Sequence, residues 1–320
     1  MIKSVATPRT LSEAIRYFQD PDRALAYVVQ HRWPAGVGCP RCGDTSVAFL
    51  ESRRIWKCRG CQKQFSAKVG TIFEDSPLGF DKWLPALWML ANCKNGVSSY
   101  EVSRALGVTQ KTAWFMLGRI RLALRSKSFQ KWGGEVEVDE SAIGGKSVNM
   151  HRAKRKRVIK RGMAWPGKTA VAGILRRGPK GKSRVRGEVV LDVGKQTMTE
   201  FVNANVVPGA EVFTDSAYSY RDLHERYVHK MVDHAVAYVV GRVHTNTLEN
   251  FWSLLKRAIK GTYVSVDPFH LFRYLDEQMF RFNNRDVKDG DRFALAARMV
   301  FGKRLTWRDL TGKDLEPATT

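Results

Sequence analysis

Three acidic positions, far apart in the chain, have the type and placement needed to gather hard divalent cations. In Glu135-Val136-Glu137-Val138-Asp139-Glu140, acidic and apolar residues alternate as on a strand, and Asp139 falls near its end. Ala210-Glu211-Val212-Phe213-Thr214-Asp215 reads as a second strand closing on an acid. Glu249 opens a helix whose apolar side is Phe251, Leu254, Leu255, Ala258 and Ile259, while Ser253, Lys256 and Lys260 share the other face with the acid. Mg2+ and Mn2+ favour oxygen ligands. Two such ions activate an attacking oxygen and steady a leaving one during in-line displacement at phosphorus. Each acid alone has a plainer reading. An Asp at a strand end commonly serves a turn or cap, and a Glu near a helix start complements the helix dipole.

A second chemistry lies upstream. Cys39-Pro40-Arg41-Cys42 and Cys58-Arg59-Gly60-Cys61 are two CxxC knuckles separated by 15 residues. Each knuckle turns both thiolates toward one point, and a hairpin between them closes a tetrahedral site for one structural Zn2+ with no open position. Gly43 and Gly60 suit the tight turns that such knuckles need. The fifth cysteine, Cys93, lies in an apolar helical stretch and reads as a small core residue. An odd count without a secretion signal argues against a disulfide framework. Arg53, Arg54, Lys57, Arg59, Lys63 and Lys68 surround the knuckles with charge suited to phosphates, although a basic ribbon can also be purely structural.

These groups need a scaffold, and the pattern predicts a multidomain mixed α/β chain. Residues 1–36 read as helical, with a Thr10/Glu13 capping pair and a helix start at Asp20-Pro21. Residues 37–72 form the ribbon. Within 78–128, Ser98 and Glu101 cap a short helix, Gly107 stops it, and a second helix starts near Gln110. This is the layout of a helix-turn-helix that offers Gln110, Lys111, Arg119 and Arg121 to DNA, or of an ordinary helical hairpin. Residues 133–285 combine strands at Val136–Val138, Thr169–Leu175, Val189–Leu191 and Val212–Phe213 with helices at Met198–Val202 and from Leu248 onward. Residues 286–320 are left as a C-terminal tail.

Charge narrows the partners. The 54 Lys and Arg outnumber 31 Asp and Glu, giving +23 and a pI near 10.1. Such a field suits a polyanion such as nucleic acid, although a membrane surface would also accept it and a plain solubilising surface is the blander reading. The densest basic run is Arg152–Arg161, where Arg155, Lys156 and Arg157 would clamp DNA or lie on a solvated loop. No apolar run has bilayer length and no signal-peptide core is visible, so the expectation is a cytoplasmic, nucleoid-associated protein with no membrane partner.

The segment His244-Thr245-Asn246-Thr247-Leu248-Glu249-Asn250-Phe251-Trp252-Ser253-Leu254-Leu255-Lys256-Arg257, continuing through Gly261-Thr262-Tyr263, resembles the signature of ISXO-like insertion-sequence transposases. Val138-Asp139-Glu140-Ser141 with Gly144-Gly145-Lys146, and Thr214-Asp215-Ser216-Ala217-Tyr218, resemble that family's other catalytic segments. The zinc ribbon and Gln110-Lys111-Thr112-Ala113-Trp114 match as well, so the resemblance spans roughly residues 10–310. It implies an RNase H-like catalytic domain in which Asp139, Asp215 and Glu249 bind two Mg2+ or Mn2+ ions. In some relatives an Asn is the third ligand, and Asn250 is adjacent. The implied reaction is cleavage at transposon ends by water, followed by attack of the freed 3′-hydroxyl on target DNA. It requires two ends in one complex, hence at least a dimer on DNA. His244 and Asn246 would contact the scissile phosphate or serve as loop and cap residues. Glu140, next to Asp139 on an extended strand, should point the other way.

Two other classes share parts of this pattern. One is a zinc-ribbon DNA-binding regulator without catalysis, and the intact acid set speaks against it. The other is a different RNase H-like nuclease, which has little use for a ribbon and a helix-turn-helix.

Overall fold

The computed structural model describes residues 8–126, 130–145, 167–179, 182–215, 218–232 and 242–312, with positions 151, 152, 156 and 165 individually. The chain is mixed α/β and divides into two units: Met1–Arg125 with Val287–Thr320, and Ser126–Asp286.

In the first unit, helix α1 (Leu11–Phe18) starts where Thr10 accepts the Glu13 N–H, and α2 (Pro21–Arg32) starts at the Asp20 cap with proline at its first position. A three-stranded antiparallel meander follows: β1 (Val47–Leu50), β2 (Ile55–Cys58) and β3 (Gln64–Phe65). Helix α3 (Phe80–Asn92) is apolar nearly all round and is buried accordingly, with Cys93 as its half-buried C-cap rather than an interior residue. Helix α4 (Ser99–Leu106) opens with the Ser98/Glu101 capping box and closes on Gly107 at φ 64°, and α5 (Gln110–Leu124) follows at once.

The second unit is built on a five-stranded sheet ordered β6-β5-β4-β7-β8, from β4 (Glu135–Ile143), β5 (Thr169–Arg176), β6 (Arg184–Val190), β7 (Glu211–Asp215) and β8 (Val228–Val232). Strands β4, β5 and β6 pair antiparallel, while β7 runs parallel to β4 and β8 parallel to β7. Alternation along the strands gives the sheet two apolar faces. Val136, Val138, Ala172, Ile174 and Val212 pack with Met198, Phe201 and Val202 of α6 (Lys195–Asn205) and with Tyr220 and Leu223 of the 3-10 helix Tyr218–Glu225. On the opposite face, Ile143, Val171, Leu175 and Val185 pack with Leu248, Phe251, Trp252 and Leu255 of α7 (Asn246–Arg257). Leu271, Leu275 and Phe282 of α8 (Leu271–Asn283) complete that face. A π-helical turn, Ala258–Tyr263, extends α7.

The segment read from sequence as a tail carries α9 (Asp289–Arg298) and α10 (Trp307–Thr311) and belongs to the first unit. Phe293 of α9 is fully buried among the rings of Phe18, Tyr27 and Trp88, with centroids 5.0–5.7 Å away. A helix supplying a central aromatic is core, not tail.

Candidate functional site

In the ribbon, the first knuckle closes through the Cys39 N–H to the Asp44 carbonyl (2.8 Å) and the Gly43 N–H to the Cys39 carbonyl (2.9 Å). The second uses the Cys58 N–H to the Lys63 carbonyl and the Cys61 N–H to Cys58 Sγ (3.5 Å). Both turn through a left-handed residue just after the second cysteine: Gly43 at φ 80° and Gln62 at φ 57°. Gly60 therefore has a different task from the one its sequence suggested. A Cβ there would meet Asp44 Oδ2 at 2.3 Å, so the glycine clears space for that carboxylate.

The sulfurs of Cys39, Cys42, Cys58 and Cys61 all lie within 4.8 Å of one another, with Cys39–Cys61 at 3.7 Å and Cys42–Cys58 at 3.6 Å. A tetrahedral Zn–S4 centre with bonds of about 2.3 Å has edges near 3.8 Å, so the donor set fits zinc. Burial opposes ionisation of Cys39, but the Arg41 and Cys42 N–H groups and the neighbouring thiols outweigh it and bring it down to about 7. A thiolate is thus within reach at neutral pH, as metal binding requires.

The acids belong to the second unit. The β4/β7 register pairs Glu135 with Glu211, Val136 with Val212 and Glu137 with Phe213. Strand β4 runs on to Ile143, so Asp139 lies at mid-strand and not near the strand end as its sequence suggested, while Asp215 closes β7. By alternation both fall on the face of Glu137 and Phe213, the one that α7 covers at Asp139. Helix α7 is tied to that spot by Trp252, whose Nε1 donates to Asp139 Oδ2 at 3.0 Å. The indole fits because β5 places Gly173 opposite Asp139, where a Cβ would lie 2.6 Å from the Trp252 ring. One turn back along α7, Glu249 is exposed and its Oε1 accepts the Thr245 hydroxyl at 2.9 Å. Asn250 is exposed beside it.

Burial, then the negative charges of Glu140, Asp215 and Glu249, push Asp139 up to about 8. Three carboxylates within electrostatic reach of Asp139 call for positive charge beside it, which is the environment a hard cation relieves. The acids are spread more widely than the sulfurs. Among the described residues, only the four cysteines close to within 4.8 Å as a set. Glu140 faces the other side, as expected. It accepts the hydroxyl of Tyr220 in the opposite core cluster, while burial raises its carboxyl.

Sequence reasoning missed Glu137 and Arg177. Glu137 is 0% exposed. Its Oε2 accepts the Leu248 N–H in the first turn of α7 (2.9 Å), and its Oε1 accepts Arg177 Nε (2.7 Å). Arg177 Nη1 reaches the Arg242 carbonyl (2.6 Å) and Glu135 (3.2 Å), and Nη2 reaches the His244 carbonyl (2.7 Å) and Nδ1 (3.0 Å). His244 is therefore part of this network, while Asn246 is exposed at the first position of α7. The Glu-x-Glu-x-Asp alternation did place Glu137 on the face of Asp139, but its burial is a tertiary fact.

Of the residues expected at DNA, Lys111, Lys156, Lys256 and Lys260 are exposed. Lys111 lies over the Trp307 ring, and Gln110 is half-buried, donating to Ser99. Arg155 and Arg157 lie outside the described residues. Arg119 and Arg121 must be corrected: they are 5% and 3% exposed. The Arg119 guanidinium satisfies the carbonyls of Ile72, Glu74 and Leu305, so it is a structural clamp. No described helix is long and apolar enough to cross a membrane.

Comparison with known proteins fits this geometry. Residues 131–283 match the ISXO2-like transposase domain, and residues 19–64 match the transposase zinc-ribbon domain. The chain is also 27% identical, over 264 residues, to the uncharacterized protein in transposable element ISH50 of Halobacterium salinarum, an alignment covering 76% of this chain and 84% of the relative. The ribbon and the acid-bearing domain are thus each matched in their place along the chain, the first by a transposase zinc-ribbon domain and the second by an ISXO2-like transposase domain.

Proposed function

We propose that this protein cleaves the ends of its insertion sequence and joins the freed 3′-hydroxyl to target DNA. The observation that carries the reading is that Asp139 on β4 feels the charges of Asp215 on the adjacent parallel strand β7 and of Glu249 on α7, the helix tied to Asp139 through Trp252. The sheet supports an RNase H-like assignment for residues 133–285, since three antiparallel strands are followed by two running parallel to the first.

In this reading Asp139, Asp215 and Glu249 hold two Mg2+ or Mn2+ ions. Held there, the ions would supply Lewis acidity to the attacking and leaving oxygens. The chain's own part is to fix the carboxylates. Trp252 orients Asp139, Thr245 orients Glu249, and the apolar roof of α7 keeps bulk water from the sheet face. Residues 37–72 bind one structural Zn2+. Residues 78–128 read DNA as a helix-turn-helix through Gln110 and Lys111, with residues 286–320 closing their unit. Exposed Lys256 on α7 and Lys260 on its π-helical extension lie beyond Glu249 and contact phosphates. The partners are the transposon ends and target DNA, in an assembly of at least two chains on DNA inside the cytoplasm.

The test is incubation of the purified protein and Mg2+ with DNA from the two borders of its own locus. Nicks at inverted repeats are expected. Specific binding without nicks in either Mg2+ or Mn2+ would instead favour a DNA-binding regulator.

A further inference from the structure

The three acids sit on three separate elements, and a single half-buried guanidinium touches two of them, β4 and β7, and the segment that leads into the third, α7. All five N–H bonds of Arg177 are spent: one on Glu137, two shared by Glu135 and the Arg242 carbonyl, and two on the backbone and ring of His244. Its face also stacks on Phe213 at 4.3 Å. Glu137 lies two residues before Asp139 on the same face of β4, and Phe213 lies two before Asp215 on β7. The Leu248 N–H, held by Glu137, immediately precedes Glu249 on α7.

Helix α7 also lacks a local cap, because its N-cap residue Thr245 makes no side-chain capping bond. The hydroxyl of Thr245 is turned to Glu249 instead. The capping role thus falls to Glu137, 111 residues earlier, whose negative charge also sits at the positive end of the helix.

We infer that Glu137 and Arg177 are positioning residues of the metal site, an ion pair between a buried carboxylate and a half-buried guanidinium that sets the register of α7 against β4 and β7 and so the separation of the three acids. The inference rests on the catalytic reading above. It does not make either residue a ligand. A buried pair of this kind adds little net stability compared with apolar residues of the same volume, so positional specificity is the better reason for its presence. Lysine cannot replace Arg177, since one ammonium has three donors and no planar fork with which to hold Glu137 and the 242–244 backbone together.

The experiment is Mn2+ binding to the full-length, zinc-loaded protein without DNA, followed by calorimetry or Mn2+ electron paramagnetic resonance. Wild type, Arg177→Lys and Asp139→Asn are compared, with thermal transitions recorded alongside. The expected result is an Arg177→Lys chain that melts near wild type yet binds Mn2+ about tenfold or more weakly, in the range for residues that orient metal ligands. Asp139→Asn should lose the site.

If Arg177→Lys binds Mn2+ like wild type while Asp139→Asn does not, the positioning role is overturned and the catalytic reading stands. If wild type and Asp139→Asn behave alike, the metal site itself is wrong and both ideas fall. Should Arg177→Lys not fold, the apolar pair Glu137→Leu with Arg177→Met takes its place, since it leaves no buried charge unpaired. Weakened Mn2+ binding in that folded double variant supports the inference, and wild-type binding overturns it.

Discussion

Trp252 of α7 and Asp139 of β4, 113 positions apart in sequence, are joined by one hydrogen bond from the indole Nε1 to Oδ2 at 3.0 Å. The bond fixes one carboxylate oxygen and, through the helix, the position of Glu249. Trp252→Phe keeps the aromatic in the slot above Gly173 and removes only the donor. Cleavage should fall by about 10- to 100-fold, as for other residues that orient a ligand, with little change in the melting temperature. An unchanged rate would remove Trp252 from the site.

Proton and metal should compete at Asp139. Its folded-state value near 8 lies above its ordinary 3.8. The folded chain therefore holds more protons than the unfolded chain between those values. The stability Asp139 contributes is full below about pH 4 and is lost as pH rises through about 8. A divalent cation binds the ionised form and reverses that loss. Added Mn2+ should thus raise the melting temperature more above pH ~8 than below pH ~6, and Asp139→Asn should erase the difference. Thermal scans with and without Mn2+ at both pH values check this.

The parts of this structure legible in the sequence are local. CxxC spacing gives the ribbon, the Ser98/Glu101 pair and Gly107 give α4, and alternation gives the strands that carry Asp139 and Asp215, although β4 continues four residues past Asp139. What escaped depends on partners distant in sequence. Arg119 reads as a surface cation on a helix, yet carbonyls from residues 72, 74 and 305 bury it. The missing side chain of Gly173 makes sense only through Trp252, whose ring fills the space a Cβ would take. Glu137 caps a helix that begins more than a hundred residues later. No local pattern carries such information.

Arg119 and Lys111, both expected at DNA, should now behave differently. Arg119→Ala leaves three carbonyls unmatched, two of them in buried surroundings, and should cost roughly 3 kcal/mol or more, seen in denaturant unfolding. Lys111→Ala should leave stability nearly unchanged while weakening DNA binding and reducing its salt slope by about one. Equal stability losses for the two variants would contradict this division.

Zinc should be inseparable from the ribbon. Cys39→Ser removes one corner of the four-sulfur set, and metal analysis should fall from one zinc per chain to none, with loss of structure in residues 37–72. A full zinc content in that variant would mean that the cysteines are not the ligands.

The most direct test of the catalytic assignment is nick mapping on DNA from the borders of the element, with Mg2+, comparing wild type with Asp215→Asn and Asp139→Asn. The account predicts nicks at the inverted repeats from wild type alone, with all three proteins binding the same DNA equally. Nicking retained by either variant would contradict the placement of the active site at Asp139 of β4 and Asp215 of β7.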